Sequence, residues 1–107
     1  MDLKQIGETQ YQNNLVKGLE CASPEDLRDV GFKGSEFLRA QLAEIHGEVA
    51  EATRAIRHGD RTNFAEELAD IVIRVASLAQ GLGLDLNALT EKKLKYNSTR
   101  PYNHDGY

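Results

Sequence analysis

The strongest regularity in the chain is the spacing of its apolar residues between positions 35 and 82. Two series of six residues advance in alternating steps of four and three: Leu38, Leu42, Ile45, Val49, Ala52 and Ile56, then Phe64, Leu68, Ile71, Val75, Leu78 and Leu82. Residues spaced in this way form one stripe along an α-helix. The pattern therefore predicts two long amphipathic helices, over about 35–58 and 63–82, whose stripes face a core.

Polar residues and glycines mark the ends of these two helices. Ser35 is predicted to cap the first helix, which ends at residues 58–60. Asn63 opens a predicted capping box for the second helix, and Gly81 and Gly83 close it. Two long helices joined by a short turn pack as antiparallel neighbours, so the centre of the fold is predicted to be an αα-hairpin.

Weaker helical signals flank the hairpin. Residues 2–19 have loosely helical spacing, and Ser23 followed by Pro24 predicts the start of a short helix. Asp85 is predicted to cap a last helix that ends near Asn97. Because no strand pattern occurs, the sequence predicts an all-α fold of four to five helices.

We expect a single domain over residues 1–107. Its N-terminal helices occupy 1–34, its main helices 35–97, and an irregular polar tail 98–107. With 40% hydrophobic residues and no Trp, a chain of 107 residues builds a thin core. Assembly with further copies of the chain would help to close that core.

The net charge of −4 argues against a nucleic-acid duplex or an anionic membrane as partner, because both select basic surfaces. The sequence contains neither a signal peptide nor an apolar run long enough to span a membrane, so the expected location is cytoplasmic. Cys21 is the single cysteine, which excludes a disulfide within the chain. The charge is also unevenly placed, since residues 36–70 hold eight acids against four bases and the rest of the chain cancels.

Part of this acidic excess lies beside the two apolar stripes. Glu44, Glu48 and Glu51 follow one another at spacings of four and three, and Glu67 and Asp70 are three residues apart. Side chains so spaced lie about 5–6 Å apart at Cβ, so each helix can direct a pair of carboxylates at one point. An all-oxygen set of this kind favours Mg²⁺ or Mn²⁺ over zinc. The alternative is an ordinary solvated acidic face.

Cationic residues follow the acids. Arg74, one turn beyond Asp70, could be a buried partner for the acids or a contact for a phosphate group. Residues 92–107 carry four bases against one acid, and Lys93 and Asn97 share a helix face at a spacing of four. Without other information these cations are as easily explained by the helix dipole and by solvation.

Two segments carry a resemblance to a known family. Glu48-Val-Ala-Glu51, fifteen intervening residues and then Glu67-Leu-Ala-Asp70 resemble the E-x-x-E…E-x-x-D signature of the all-α nucleoside triphosphate pyrophosphohydrolases, the MazG-like family. The flanking residues 64–74 and 91–102 are also similar to single-domain members of that family. The resemblance covers about residues 36–107.

The resemblance implies hydrolysis of a (deoxy)nucleoside triphosphate between its α and β phosphates, which serves the control of nucleotide pools. It implies that Glu48, Glu51, Glu67 and Asp70 are the catalytic acids and hold Mg²⁺, for which Mn²⁺ could substitute. Gly47 before Glu48 also permits a register in which Glu48 is the second acid of its pair. Glu44 or Glu51 would then have to stand in for the other acid of the pair. We prefer to pair Glu48 with Glu51, because only these two residues keep the spacing of three.

Similar proteins use a Lys, an Asn and a following Arg on the phosphates and sugar, which implies that Lys93, Asn97 and Arg100 bind the substrate. They also form homodimers or homotetramers, which implies a helical bundle that is completed by oligomerisation. The rival hypothesis is a non-enzymatic helical protein-interaction module whose acidic face is solvated.

Overall fold

The structure is a computed structural model, and it describes residues 1–28, 30–31 and 33–101. Its helices are α1 (Leu3–Val16), α2 (Pro24–Arg28), α3 (Lys33–Arg57), α4 (Arg61–Leu82) and α5 (Leu86–Thr99). No strand occurs within these ranges, so the predicted all-α fold is confirmed. None of the described helices is long and apolar enough to cross a membrane. Residues 102–107, most of the predicted polar tail, lie outside the described residues.

Two of the predicted helix starts are wrong. α3 begins at Lys33, so Ser35 lies inside its first turn, because no proline stops the helix from extending two residues further. α4 is capped by Asp60, whose side chain accepts a hydrogen bond from the Asn63 backbone N–H at 3.0 Å. Asp60 is as good a cap as Asn63, and its use leaves a very short turn in which Gly59 takes the left-handed conformation, with φ of 67°.

The predicted cap of α5 is confirmed, since Asp85 accepts a hydrogen bond from the backbone N–H of Ala88 at 3.0 Å. Asp2, which the sequence analysis did not single out as a cap, opens α1 with a capping box. Gly83 ends α4 with φ of 76°. Each of these ends places an acid or a glycine where the free N–H groups or carbonyls of a helix need one.

The apolar stripe of α3 divides into two sets in the single chain. Ile45 is half-buried and Ala52 is buried, whereas Leu42 is 49% exposed and Ile56 is 63% exposed. α4 shows the same alternation, with Ile71 half-buried and Leu68 and Val75 exposed. The prediction that both complete stripes face a core is therefore wrong for one chain, because only alternate members of each stripe meet the neighbouring helix.

α1 packs along α4 in the opposite direction. Its Leu3 backbone N–H donates a 3.2 Å hydrogen bond to Asn87 Oδ1 in the first turn of α5, which follows the end of α4, while Gly7 lies against the backbone of Ala76. α3 also packs on α4, but α1 and α3 do not pack on each other within the described residues. Two helices on one face of a third, without mutual contact, leave a groove between them whose floor is α4.

The core of the single chain is thin, as the composition predicts. Its buried apolar residues, among those described, are Ala22, Ala52, Ala55, Ala76, Ala79 and Leu82. Many larger apolar side chains are exposed instead, among them Leu42, Val49, Ile56 and Leu68. The described part of a single chain therefore leaves large apolar side chains in contact with water.

Candidate functional site

Three acids from the two central helices meet at one point. Glu48 faces Glu67 and Asp70 from α3, and one carboxylate oxygen of each residue lies within 4.8 Å of the others. The spacing of three on α4 puts Glu67 and Asp70 on the same face, and the antiparallel packing of the hairpin brings Glu48 opposite them. We call these three residues the acid cluster.

The pKa values of the two glutamates in the acid cluster shift in opposite directions. The pKa of Glu67 is raised to about 7, first by a hydrogen bond with the Glu48 carboxylate and then by burial and by the charges of Glu48, Asp70 and Glu51. The same hydrogen bond, together with Arg74, lowers the pKa of Glu48. No N–H or O–H group of the described residues reaches the buried Oε2 atom of Glu67. The bond between the two carboxyl groups therefore depends on a proton carried by one of them.

A divalent cation fits these residues. The donors are all carboxylate oxygens, and one of them is buried without a partner, which is costly unless a cation or a proton is present. The three oxygens lie within 4.8 Å of one another on facing helices, and hard cations such as Mg²⁺ bind oxygen ligands of this kind. The acid cluster thus has the chemistry and the spacing of a site for a hard cation.

Glu51 and Glu44 lie on either side of Glu48 along α3, and neither belongs to the acid cluster. Glu51 Oε1 is 3.5 Å from Nη1 of Arg54 on its own helix, although its charge still raises the pKa of Glu67. Glu44 Oε2 accepts a 2.8 Å hydrogen bond from Arg74. The described geometry leaves both residues adjacent to the acid cluster, so the choice between them as the partner of Glu48 stays a prediction.

Arg74 bridges the two helices beside the acid cluster. Its Nε donates to Glu48 Oε1 at 3.0 Å and its Nη1 to Glu44 Oε2 at 2.8 Å. The sequence left two roles open for Arg74, and in the structure its side chain contacts acids. That contact is made across to α3, and the local spacing on α4, which pairs Arg74 with Asp70, does not indicate it.

The groove between α1 and α3 forms a cleft of about 620 Å³ that includes part of the acid cluster. α4 provides its floor, with Asp70, Ile73, Arg74 and Ser77. One wall is α3, with Phe37, Ala40, Gln41, Glu44, Ile45 and Glu48, and the other is α1 and its following residues, with Gln10, Asn14, Lys17, Leu19 and Glu20. The cleft can therefore accept a polar molecule much larger than a metal ion.

The cleft has two chemically different ends. α1 and α3 both run antiparallel to α4, so Lys17 and Glu48 lie toward the Asp70 end, and Gln10 and Phe37 toward the other. From Phe37 to Glu48 the helix rises about 16 Å. Glu48, Asp70 and Lys17 thus lie toward one end of the cleft, and the Phe37 ring and the Gln10 amide toward the other.

The sequence analysis missed the α1 side of the cleft. Gln10 Nε2 donates a 2.8 Å hydrogen bond to Asn14 Oδ1, and both side chains line the cleft with Lys17. The signal in the sequence is a polar stripe at spacings of four and three, which on its own describes any solvated helix face.

The predicted substrate-binding residues of α5 lie apart from the cleft. No α5 residue is among the described residues that line the cleft, and α5 contacts α1 and α4 but not α3 within the described part of the chain. Lys93 Nζ and the Arg100 guanidinium lie 5.0 and 5.2 Å from the centre of the Tyr96 ring. Asn97 Oδ1 is buried without a hydrogen-bond partner. In a single chain these residues are therefore not assembled with the acid cluster.

Comparison with known proteins gives the family. Neither the curated proteins nor the solved structures contain a match to this chain. The family model described as the MazG nucleotide pyrophosphohydrolase domain matches residues 37–102, a span that includes the acid cluster and α5. The chain therefore belongs to the MazG nucleotide pyrophosphohydrolase family.

Proposed function

We propose that this chain hydrolyses (deoxy)nucleoside triphosphates at the bond between the α and β phosphates, for control of nucleotide pools. Water adds to the α phosphorus and the bridging oxygen leaves with the β phosphate, which yields the nucleoside monophosphate and pyrophosphate. The observation that carries the proposal is the acid cluster at one end of a cleft of about 620 Å³. Membership of the family supports a nucleotide as the occupant of that cleft.

We propose Mg²⁺ as the cofactor, with Mn²⁺ as a possible substitute, held by Glu48, Glu67 and Asp70. Glu51 is the fourth proposed ligand and Glu44 its alternative. When bound, the ion supplies positive charge to the phosphates and lowers the pKa of a coordinated water. One of the neighbouring carboxylates would orient the attacking water and accept its proton, as a general base within hydrogen-bond reach does.

The charge distribution along the cleft supports one orientation of the substrate. The triphosphate would lie at the end that holds the acid cluster and Lys17, where cations can neutralise it. The nucleoside would then point toward Gln10 and Phe37, whose amide and ring suit hydrogen bonding and stacking with a base. Each base offers both a stacking face and polar edges, so this orientation is compatible with purines and pyrimidines alike.

We also propose that the working form is a homodimer or homotetramer in the cytoplasm, with residues 1–107 acting as one domain. The exposed apolar members of the α3 and α4 stripes support assembly. Because the α5 of the same chain does not line the cleft, Lys93, Asn97 and Arg100 would reach the phosphates from a neighbouring copy. No nucleic-acid duplex or membrane is proposed as a partner.

Activity is tested with a panel of ribo- and deoxyribonucleoside triphosphates in the presence of Mg²⁺, with all products resolved. We expect monophosphate and pyrophosphate in equal amounts from at least one member of the panel. Orthophosphate as the first product would contradict cleavage at the α–β bond. Inert triphosphates across the whole panel would instead favour the helical interaction module.

The metal assignment is tested by thermal melts of Asp70→Asn, with and without Mg²⁺ or Mn²⁺. A cation that binds only the folded state raises the melting temperature of the wild type. Asp70→Asn should lose most of that gain and most of the activity, whereas Glu66→Gln, a change to the exposed acid beside Glu67, should retain both. Full activity in Asp70→Asn would show that the ligand set is wrong.

A further inference from the structure

Arg74 is held by two acids while it also borders the cleft. Its guanidinium donates to Glu48 Oε1 at 3.0 Å and to Glu44 Oε2 at 2.8 Å, and its side chain is 42% exposed. These contacts use two of the five N–H groups of the guanidinium. The same side chain is one of the residues that line the floor of the cleft.

Glu48 has two partners with incompatible demands. It belongs to the acid cluster that can hold a cation, and it also accepts the hydrogen bond from Arg74. Its side chain is only 19% exposed, so its charge is poorly screened by water. A divalent cation and a guanidinium on the same carboxylate repel each other, and each therefore weakens the binding of the other.

We propose that Arg74 is an exchangeable counter-ion. Its N–H groups donate hydrogen bonds to Glu48 until a divalent cation binds, and they then donate to a phosphate group of the substrate instead. The first half of this exchange concerns the metal alone, and the second half rests on the proposed function. A planar guanidinium suits this transfer, because its fork of donors matches carboxylate and phosphate oxygens equally well. Arg74 would thus be a positioning residue in the empty site and a phosphate ligand in the loaded one.

The exchange predicts opposite effects of one substitution on two ligands. Arg74→Gln removes a positive charge beside the cation, so Mn²⁺ should bind about three- to tenfold more tightly in the absence of nucleotide. The same change removes the phosphate ligand, so pyrophosphate should bind at least about tenfold more weakly in the presence of Mg²⁺. If Arg74 serves only to hold Glu48 in place, its loss should weaken the binding of both Mn²⁺ and pyrophosphate.

The experiment uses the full chain and does not depend on turnover. Mn²⁺ binding is measured by electron paramagnetic resonance, and binding of inorganic pyrophosphate with Mg²⁺ by calorimetry. Arg74→Lys keeps the charge but not the fork, so it should bind Mn²⁺ like the wild type and pyrophosphate more weakly. Arg57→Gln removes an equal charge from the exposed end of α3. It should change neither the dissociation constant of Mn²⁺ nor that of pyrophosphate by more than about twofold.

Weaker or unchanged Mn²⁺ binding in Arg74→Gln overturns the counter-ion half, provided that the thermal melt of the variant shows a folded protein. Unchanged pyrophosphate binding in the same variant overturns the proposal that Arg74 donates hydrogen bonds to a phosphate group. Because the Mn²⁺ measurement involves no nucleotide, its result is independent of the triphosphate panel. Failure of this inference and failure of the proposed function are therefore distinguishable.

Discussion

The raised pKa of Glu67 makes the acid cluster respond to pH near neutrality. Glu67 has a pKa of about 7 against an ordinary value of 4.5, so between these values the folded chain binds more protons than the unfolded chain. An excess of protons in the folded state means that stability falls as the pH rises. We therefore expect the melting temperature in a chelator to fall between about pH 5 and about pH 7 because of Glu67.

Glu67→Gln should remove this part of the pH dependence, since glutamine carries no titrating proton. The measurement compares melting temperatures in chelator across the pH range for the wild type, Glu67→Gln and Glu66→Gln. Because a cation competes with the proton, the gain from Mg²⁺ should also be larger at about pH 8 than at about pH 6 in the wild type. Parallel curves for Glu67→Gln and the wild type would contradict a proton shared within the acid cluster.

At the level of single residues, the sequence predicted which acids could converge but not how cations pair with them. The spacing of three that joins Glu67 and Asp70 is local, and it survives any packing of the helix. The bond joins two residues that are 26 apart in the chain, Arg74 and Glu48, and it depends on the relative register of α3 and α4. Such a register follows from tertiary packing, so the local pattern could offer Arg74 as a partner for the acids without saying which of them it contacts.

At the scale of helices, the contact of α1 with α4 depends on a glycine. A Cβ atom built on Gly7 would lie 2.9 Å from the carbonyl carbon of Ala76 and 3.3 Å from the Cβ of Gln80. The first neighbour is backbone and cannot move aside without displacing α4. Gly7→Ala should therefore destabilise the fold by about 1–3 kcal/mol, in spite of the better helix propensity of alanine.

Gly47→Ala is the matched control, because it lies inside α3 and a Cβ atom there meets nothing within 4 Å. It should stabilise the fold by about 0.5–1 kcal/mol. Urea unfolding of both variants and the wild type measures the two changes. A destabilisation of equal size in both would show that close approach to α4 is not the reason for Gly7.

α1 also supplies a test of the orientation that we propose for the substrate. Gln10→Ala removes an amide from the cleft wall, and we expect KM to rise about threefold to tenfold for the preferred triphosphate, by loss of one or two hydrogen bonds. The effect should differ among bases, because Gln10 lies toward the nucleoside end. Kinetic assays across the nucleotide panel measure it.

Gln12 provides the control for that test. It lies two residues further along α1, is exposed and does not line the cleft. Gln12→Ala should therefore leave KM for every member of the panel unchanged. If Gln10→Ala lowers kcat equally for all bases with no change in KM, the amide end of the cleft does not contact the nucleoside.

The order and type of the helices were predictable, whereas some of their ends and neighbours were not. The periodic stripes and the acids Asp2 and Asp85 encode helices and caps locally. Ser35 and Asn63 were wrong as caps because several residues near a helix start can serve, and the length of the intervening turn decides among them. The groove between α1 and α3 had no local signal, since it depends on two helices that share a third.

For the molecule as a whole, the exposed apolar residues of α3 indicate a second copy. Leu42, Val49 and Ile56 are seven residues apart and all exposed, which is the pattern of a helix with one more helical partner. We expect the chain to elute at a multiple of its 11.9 kDa mass in light-scattering chromatography. Ile56→Glu should shift it toward the monomer, while Ala43→Glu, at an exposed position on a different side of the same helix, should not. A wild type that is monomeric would overturn the assembly.

If α5 serves the cleft of a neighbouring copy, two inactive variants should restore each other. Asp70→Asn damages the acid cluster and Lys93→Ala the proposed phosphate contact, so each alone should lose most activity. In a hybrid dimer, one cleft combines the intact Asp70 of one chain with the intact Lys93 of the other. Random re-association of equal amounts makes half of the dimers hybrid, each with one complete site, so about a quarter of the wild-type activity should return.

The control for this mixture combines Asp70→Asn with Glu67→Gln, whose changes lie in the same acid cluster and come from one chain. No activity should return in that mixture, because each cleft then contains one damaged acid whichever chains pair. If the Asp70→Asn and Lys93→Ala mixture is equally inactive while its chains exchange, Lys93 acts on the cleft of its own chain or on none. Recovery confined to the first mixture requires a cleft built from two chains, which would also account for the exposed apolar side chains of a single chain.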